Sequence, residues 1–332
     1  MPRNQCPGDN NRKRKFFWPL DLASYFFCLL LSFACSQRRD LALMIYFIDV
    51  GHGDCILIQT PDDGIKNNLT NEGLNILIDG GEEVMGREIL LPFLWRHKID
   101  TIDCLIATHF HSDHIGGLIS VLENFPVKMV LTNAQKKEGE LNRRFLETVA
   151  KENCLWRIAR ANDTIFWGKE MEVFILNPKE LDKEENNNSI VLKIEYQGKG
   201  LLLTGDIEGK KKGEEPKNCK FTERRLIIEY KEILHSHVLK VSHHGSETSS
   251  TDEFLSLVSP KMAIITAGRK RFGNSILPDS SVILRLLKFG AKVYRTDFED
   301  TSYKTAPGDD HILIKISPEG EITAHYLTRL IF

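Results

Sequence analysis

Thr108-His109-Phe110-His111-Ser112-Asp113-His114-Ile115-Gly116-Gly117 follows directly on the apolar run Cys104-Leu105-Ile106-Ala107. The run predicts a buried strand, and the polar residues after it lie at the strand's end. Along an extended chain, residues two apart point to the same side. His109, His111 and Asp113 are therefore expected to converge, with His114 joining as the chain turns. Neutral imidazole and carboxylate are the donors that suit zinc and similar first-row divalent ions. Three imidazoles and a carboxylate within six residues, followed by a glycine pair, point to a metal site.

The rest of the chain frames that site. Its 332 residues are 42% hydrophobic and 27% charged, enough for a substantial core. A formal net charge of −2 argues against a protein that coats nucleic acid indiscriminately, while leaving room for a local basic groove. None of the seven cysteines forms a CxxC pair, and Cys55 and Cys104 sit in apolar runs as small hydrophobes. From Met44 onward nothing requires an oxidising compartment.

Residues 1–43 read as a separate segment, and residues 44–332 as the folded domain. Asn11-Arg12-Lys13-Arg14-Lys15 precedes an apolar stretch that is uncharged from Leu22 to Ser36 and contains Cys35. Two readings stand. One is a signal or lipoprotein-like anchor, making the protein exported or membrane-attached. The other is a start of translation at Met44, making it cytoplasmic. Contact with a membrane is expected only through this segment.

Beyond Met44, Ile45–Ile48, Ile56–Ile58 and Leu74–Ile78 read as neighbouring strands. Helices are predicted over Arg87–His97, Ile115–Asn124, Leu141–Glu152 and Ser280–Phe289. Further strands are predicted over Met171–Leu176, Ile190–Tyr196, Leu201–Thr204, Val238–Val241, Met262–Thr266, Ala291–Arg295, Ile312–Ile316 and Glu321–Tyr326. Two strand-rich halves with helices between them predict an α/β protein in which sheet packs on sheet and helices cover the outer faces. The charged stretch Glu208–Arg225, with Lys210-Lys211-Lys212, reads as a solvated insertion.

Two later strands also end in metal-capable groups. Leu201-Leu202-Leu203-Thr204-Gly205-Asp206 delivers a carboxylate, and Val238-Leu239-Lys240-Val241-Ser242-His243-His244-Gly245-Ser246 delivers two adjacent imidazoles. With these segments in view, the sequence resembles the metallo-β-lactamase fold hydrolases from Met44 to the C-terminus. Within them it is most similar to the metallo-hydrolase domain of ComEC-type competence proteins, standing without their hydrophobic channel. The resemblance also rests on Ile48-Asp49-Val50-Gly51-His52-Gly53-Asp54, Ile76-Leu77-Ile78-Asp79-Gly80-Gly81 and Asn186-Asn187-Asn188-Ser189.

The resemblance implies a four-layer αββα sandwich with two divalent metal ions between the sheets, zinc being expected and manganese the alternative. It implies that His109 and His111 hold the first ion, that Asp113 and His114 hold the second, and that Asp206 bridges them. His244, or in its place His243, completes the second site, and Asp79 orients the cluster. Asp49 and Asp54 brace the loop or are simple turn carboxylates. Where many relatives carry a third histidine for the first ion, this chain has Asn186, Asn188 and Ser189 nearby. His52 stands where the branch has glutamine and is expected to line the cleft, and Leu277 replaces a histidine before Pro278.

The expected activity is hydrolysis by a water activated between two metal ions, with Asp113 and Asp206 as the catalytic carboxylates. By analogy the substrate is a phosphodiester, DNA included. Arg269, Arg271 and Asn274 are candidate contacts to it, with an ordinary charged loop as the alternative. Rival readings are a hydrolase of a small ester or phosphorylated cell-surface group, and a metal-binding module without catalysis. No specific protein partner is inferred.

Overall fold

The computed structural model describes residues 41–62, 73–168, 171–272, 275–298, 300 and 306–327. All of them fall in one compact unit, Asp40–Phe332. The leader reading of the N-terminal segment lies outside the described residues, apart from Leu41, Ala42 and Leu43. So does Asn274.

Two mixed sheets face each other. The first runs from β1 (Leu43–Phe47), β2 (Ile56–Gln59), β3 (Asn75–Ile78) and β4 (Cys104–Ala107) to β5 (Met129–Thr132) and β6 (Leu155–Ile158), closed on its other side by β16 (His311–Ile316) and β17 (Ile322–Leu327). The second contains β7 (Thr164–Phe166), β8 (Met171–Asn177), β9 (Val191–Tyr196), β10 (Lys199–Leu203), β11 (Val238–Lys240), β12 (Met262–Ile265) and β15 (Lys292–Arg295), with β7 and β15 at its edges. A short hairpin, β13 (Arg271–Phe272) and β14 (Ser275–Ile276), stands apart.

Period-two alternation sorts each strand into two cores. Ile45, Phe47, Ile56, Ile58, Ile76 and Ile106 of the first sheet pack against Val173, Ile175, Leu192, Ile194, Leu201 and Leu203 of the second. The intervening residues Leu57, Leu77 and Leu105 face outward onto α1 (Leu91–Arg96), α2 (Ser112–Asn124) and α3 (Glu140–Lys151). On the opposite side Leu202, Leu239, Ala263 and Ile265 meet α4 (Phe221–Tyr230), α5 (Asp252–Val258) and α6 (Ser280–Lys288). Burying each Leu or Ile contributes roughly 1.5–3 kcal/mol, so strands apolar on both faces must be covered twice. The result is the expected αββα sandwich.

Two expectations are corrected. Glu208–Arg225 is a solvated insertion only in part: residues 211–220 are mostly exposed, but Lys210 and Glu223 are buried and the helix α4 begins within the stretch. Glu223 accepts hydrogen bonds from the backbone N–H groups of Ser250 and Thr251 and from the Thr251 hydroxyl, a tertiary use of charge that composition conceals. Strand alternation, in turn, does not carry the histidine motif. The strand β4 stops at Ala107, and α2 starts at Ser112, three residues earlier than predicted, so Asp113 and His114 lie on its first turn.

Candidate metal centre

Parallel pairing of β3 with β4, and of β10 with β11 and β11 with β12, aligns the carboxyl ends of these strands. Asp79, His109, Asp206, His244 and Thr266 follow those ends, at the place where ligands gather in parallel sheets. Backbone contact then sets the depth of α2. Gly80 N–H donates to His114 O at 2.7 Å and Gly117 N–H to Gly81 O at 2.9 Å. A Cβ on Gly117 would lie 2.0 Å from Gly80 O, so only glycine permits this approach.

The hydrogen bonds of each imidazole identify its bare nitrogen. His114 Nδ1 lies 2.8 Å from Asp79 Oδ2, and His244 Nδ1 lies 2.8 Å from the Thr266 carbonyl. Both partners only accept, so each Nδ1 carries the proton and each Nε2 presents a lone pair. His109 Nδ1 lies 3.3 Å from the Thr108 and Ser189 hydroxyls. Those hydroxyls spend their protons on Asp79 Oδ2 and Asn186 O, so His109 Nδ1 is again the donor. His111 turns Nε2 toward Glu185 Oε2 at 2.8 Å and leaves Nδ1 bare, 2.9 Å from His109 Nε2.

These lone pairs face carboxylates. Asp206 Oδ2 lies 3.3 Å from His114 Nε2, 3.1 Å from His244 Nε2 and 4.0 Å from His109 Nε2. Asp113 Oδ2 lies 3.4 Å from His244 Nε2 and 3.3 Å from His52 Nε2. Yet His114 Nε2, His244 Nε2 and Asp206 Oδ1 are buried without a hydrogen-bond partner among the described residues. Lone pairs packed against carboxylates repel unless a cation stands between them. Without a metal ion a proton takes that place: burial opposes charging His114 and His244, but Asp206 outweighs it and raises both well above the ordinary imidazole value. The pocket is thus built to hold positive charge, which a divalent ion supplies with these donors. His109, His114 and Asp206 form one cluster close enough to share an ion, and His52, Asp113 and His244 form another. The donor set fits divalent metal binding.

The other candidates separate by geometry. His243 spends both nitrogens elsewhere, with Nε2 3.2 Å from the Asn186 amide nitrogen and Nδ1 3.2 Å from the Thr248 hydroxyl. Asn186 lines the cleft beside it. Asn188 turns away, its Oδ1 accepting from Asp182 N–H at 2.6 Å and its amide donating to Asp182 O at 3.0 Å, so it stands outside the cleft. Ser189 supports the centre by accepting from Asp206 N–H at 3.0 Å. Asp49 lies apart and gathers the N–H groups of Gly51, Gly308 and Asp309. Burial and the neighbouring His244 push His52 down to about 3, keeping it neutral.

Asp54 and Lys240 form a buried pair that sequence reasoning missed. The Lys240 ammonium contacts Asp54 Oδ2, donates to Gly205 O at 3.0 Å and lies 3.6 Å from Asp206 Oδ1. The Asp54 carboxylate also accepts from the Thr266 hydroxyl at 2.5 Å. Although burial opposes its ionisation, Lys240 and His244 hold it well below the usual carboxylate range. The visible signal was a lysine inside the apolar strand Val238-Leu239-Lys240-Val241.

A cleft of about 400 Å³ opens over the centre, with Leu277, Lys212 and Asp279 on its walls. Past His52, a second hollow of about 370 Å³ is lined by Glu82, Met85, Arg269 and Lys270. Arg269 lies 3.8 Å from Asp297, while Arg271 is exposed on β13 and lines neither hollow.

Residues 48–269 match the family described as the metallo-beta-lactamase superfamily. The chain is 28% identical over 289 residues to ComE operon protein 3 of Bacillus subtilis, covering 82% of this chain and 34% of that protein. It is 31% identical over 255 residues to Recombination protein 2 of Haemophilus influenzae, covering 75% of this chain and 27% of that one. Competence protein ComA of Neisseria gonorrhoeae is 28% identical over 251 residues, with 75% and 30% covered. The chain therefore spans about a third of the length of these relatives. Among solved structures, the metallo-beta-lactamase fold protein YhfI from Bacillus subtilis aligns with a TM-score of 0.49 at 10% identity, covering 85% of this chain and 100% of that one.

Proposed function

The chain belongs to the metallo-beta-lactamase superfamily of metal-dependent hydrolases, and from that premise we propose a phosphodiesterase with two divalent ions, acting on DNA or a related phosphodiester. The observation that carries the metal chemistry is the set of bare imidazole nitrogens converging on Asp113 and Asp206. By the family resemblance His109 and His111 would hold one ion and His114, Asp113 and His244 the other, with Asp206 shared between them; His109 and His114 both stand close to Asp206 in the structure. The nitrogen-rich donor set favours zinc, with manganese as the alternative. When bound, such a pair makes water acidic enough to act as a nucleophile near neutral pH and offsets charge developing on the phosphoryl group.

The chain's own residues orient this chemistry. Asp79 fixes the His114 ring and its tautomer, and Thr266 does the same for His244. Lys240 holds the Asp206 segment through the Gly205 carbonyl and Ser189 holds it through the Asp206 N–H. Leu277 gives the cleft an apolar wall. Phosphodiester specificity draws support from Lys212 on the cleft and Arg269 and Lys270 on the adjoining hollow, a basic path for a polyanion that is flanked by Asp297 beside Arg269 and Glu82 beside Lys270. The names of the relatives, which refer to competence and recombination, point the same way.

The test is metal quantification with turnover of a chromogenic phosphodiester and single-stranded DNA by the full chain. Asp206→Ala and His109→Ala should each lose metal and lower turnover by more than the ten- to hundredfold typical of losing an outer partner, that is, beyond about a hundredfold. Activity surviving both substitutions would remove the site, and tightly bound metal with no turnover of either substrate would remove the phosphodiesterase reading. Cleavage of DNA that is insensitive to salt would count against the basic path.

A further inference from the structure

His52 clusters with Asp113 and His244 yet belongs to neither ligand set that the family resemblance implies. It does not lie along the histidine motif but comes from the loop between β1 and β2. Its side chain is only 7% exposed. Its Nε2 lies 3.3 Å from Asp113 Oδ2, which in turn lies 3.4 Å from His244 Nε2, and the ring centres of His52 and His244 are 4.5 Å apart. The three donor atoms form a cluster close enough to share one ion. With His114 and Asp206 also facing that ion, His52 would make it five-coordinate, and around such an ion with bonds of about 2.1 Å neighbouring donors stand roughly 3.0–3.6 Å apart. We propose that His52 Nε2 is a direct ligand of the ion held by Asp113 and His244, so that this centre uses five imidazoles.

The backbone places His52 for this role. Asp54 N–H donates to Asp113 O at 3.2 Å, joining the loop to the first turn of α2. Gly53 sits at φ +129°, and a Cβ there would lie 2.2 Å from Asp113 O. Loop and helix turn therefore touch backbone to backbone, which fixes the spacing between His52 and Asp113. A ligand held this way loses little freedom on binding.

A competing role is a hydrogen bond from His52 to Asp113, which positions the carboxylate without touching metal. His52→Gln separates the two, because a carboxamide can still donate to Asp113 but removes the nitrogen ligand. The inference rests on the two-ion reading above, and one experiment distinguishes their failures. The full-length protein, its His52→Gln variant and its His52→Ala variant are titrated with Co²⁺, and the contact-shifted imidazole ring resonances are recorded by proton NMR. Wild type should bind two Co²⁺ and show five shifted imidazoles. Both variants should lose the same set of ring resonances, and their affinity for one of the two ions should fall at least tenfold. Two ions bound with the same imidazole resonances in wild type and His52→Gln would overturn this inference alone. Fewer than two ions in wild type would overturn the two-ion reading and this inference with it.

Discussion

Replacing Lys240 with methionine keeps most of the side-chain volume but removes an ammonium that is wholly buried beside Asp54. The Asp54 carboxylate would keep the Thr266 hydroxyl at 2.5 Å, and the Gly205 carbonyl would lose its donor at 3.0 Å. Removing one partner of a buried ion pair costs about 3–5 kcal/mol, because the remaining charge is left without compensation. Against a total stability of about 5–15 kcal/mol, that is a large fraction. At roughly 2–4 °C per kcal/mol, the melting temperature of the metal-free protein should fall by about 6–20 °C. The assay is thermal and urea unfolding of wild type, Lys240→Met, Asp54→Asn and the double variant, each with chelator and then with metal. The double variant should be less unstable than the sum of the single variants by at least about 1 kcal/mol, since it leaves no orphaned charge. Metal should narrow the deficit of Lys240→Met by restoring positive charge beside Asp206. A loss below about 1 kcal/mol, or strict additivity, would refute the proposed electrostatic role of this pair.

Asp79→Asn should weaken metal affinity about ten- to a hundredfold in chelator competition, because it loosens the His114 ring without removing a donor. His244→Ala should lower metal content, whereas His243→Ala should leave it at the wild-type level, since both His243 nitrogens are engaged elsewhere. Gly117→Ala should destabilise the protein by about 1–3 kcal/mol or more, because its Cβ would meet Gly80 O at 2.0 Å, and thermal unfolding will show it. Metal at a hundredfold excess over each site's dissociation constant should stabilise the fold by about 2.7 kcal/mol for each ion bound, a gain that chelator abolishes in calorimetry.

Much of this protein is determined locally. The alternation in Ile56–Ile58 and Leu201–Leu203 records which faces are covered, so the paired sheets and their outer helices were legible in the residues. His109, His111, Asp113, His114, Asp206 and His244 were legible as metal-capable side chains; Asp206 and His244 follow strand ends, while His109 to His114 run from the end of β4 into the first turn of α2. What a string of residues does not contain is the partner of each side chain. His243 and His244 are neighbours of one residue type. Only the tertiary structure gives one the distant Thr266 carbonyl and spends the other on Asn186 and Thr248. Asp49 and Asp54 lie in one motif, yet Asp49 ties down the Gly308–Asp310 loop while Asp54 meets Lys240 from the other sheet. Lys210 and Glu223 read as solvated because charge is normally hydrated, and folding buries them beside partners far away in sequence. The sequence by itself determined the layers and the chemistry of the donors, since these depend on side-chain type and spacing. Only the tertiary structure decided which nitrogen stays bare, because that depends on which distant group takes the other one.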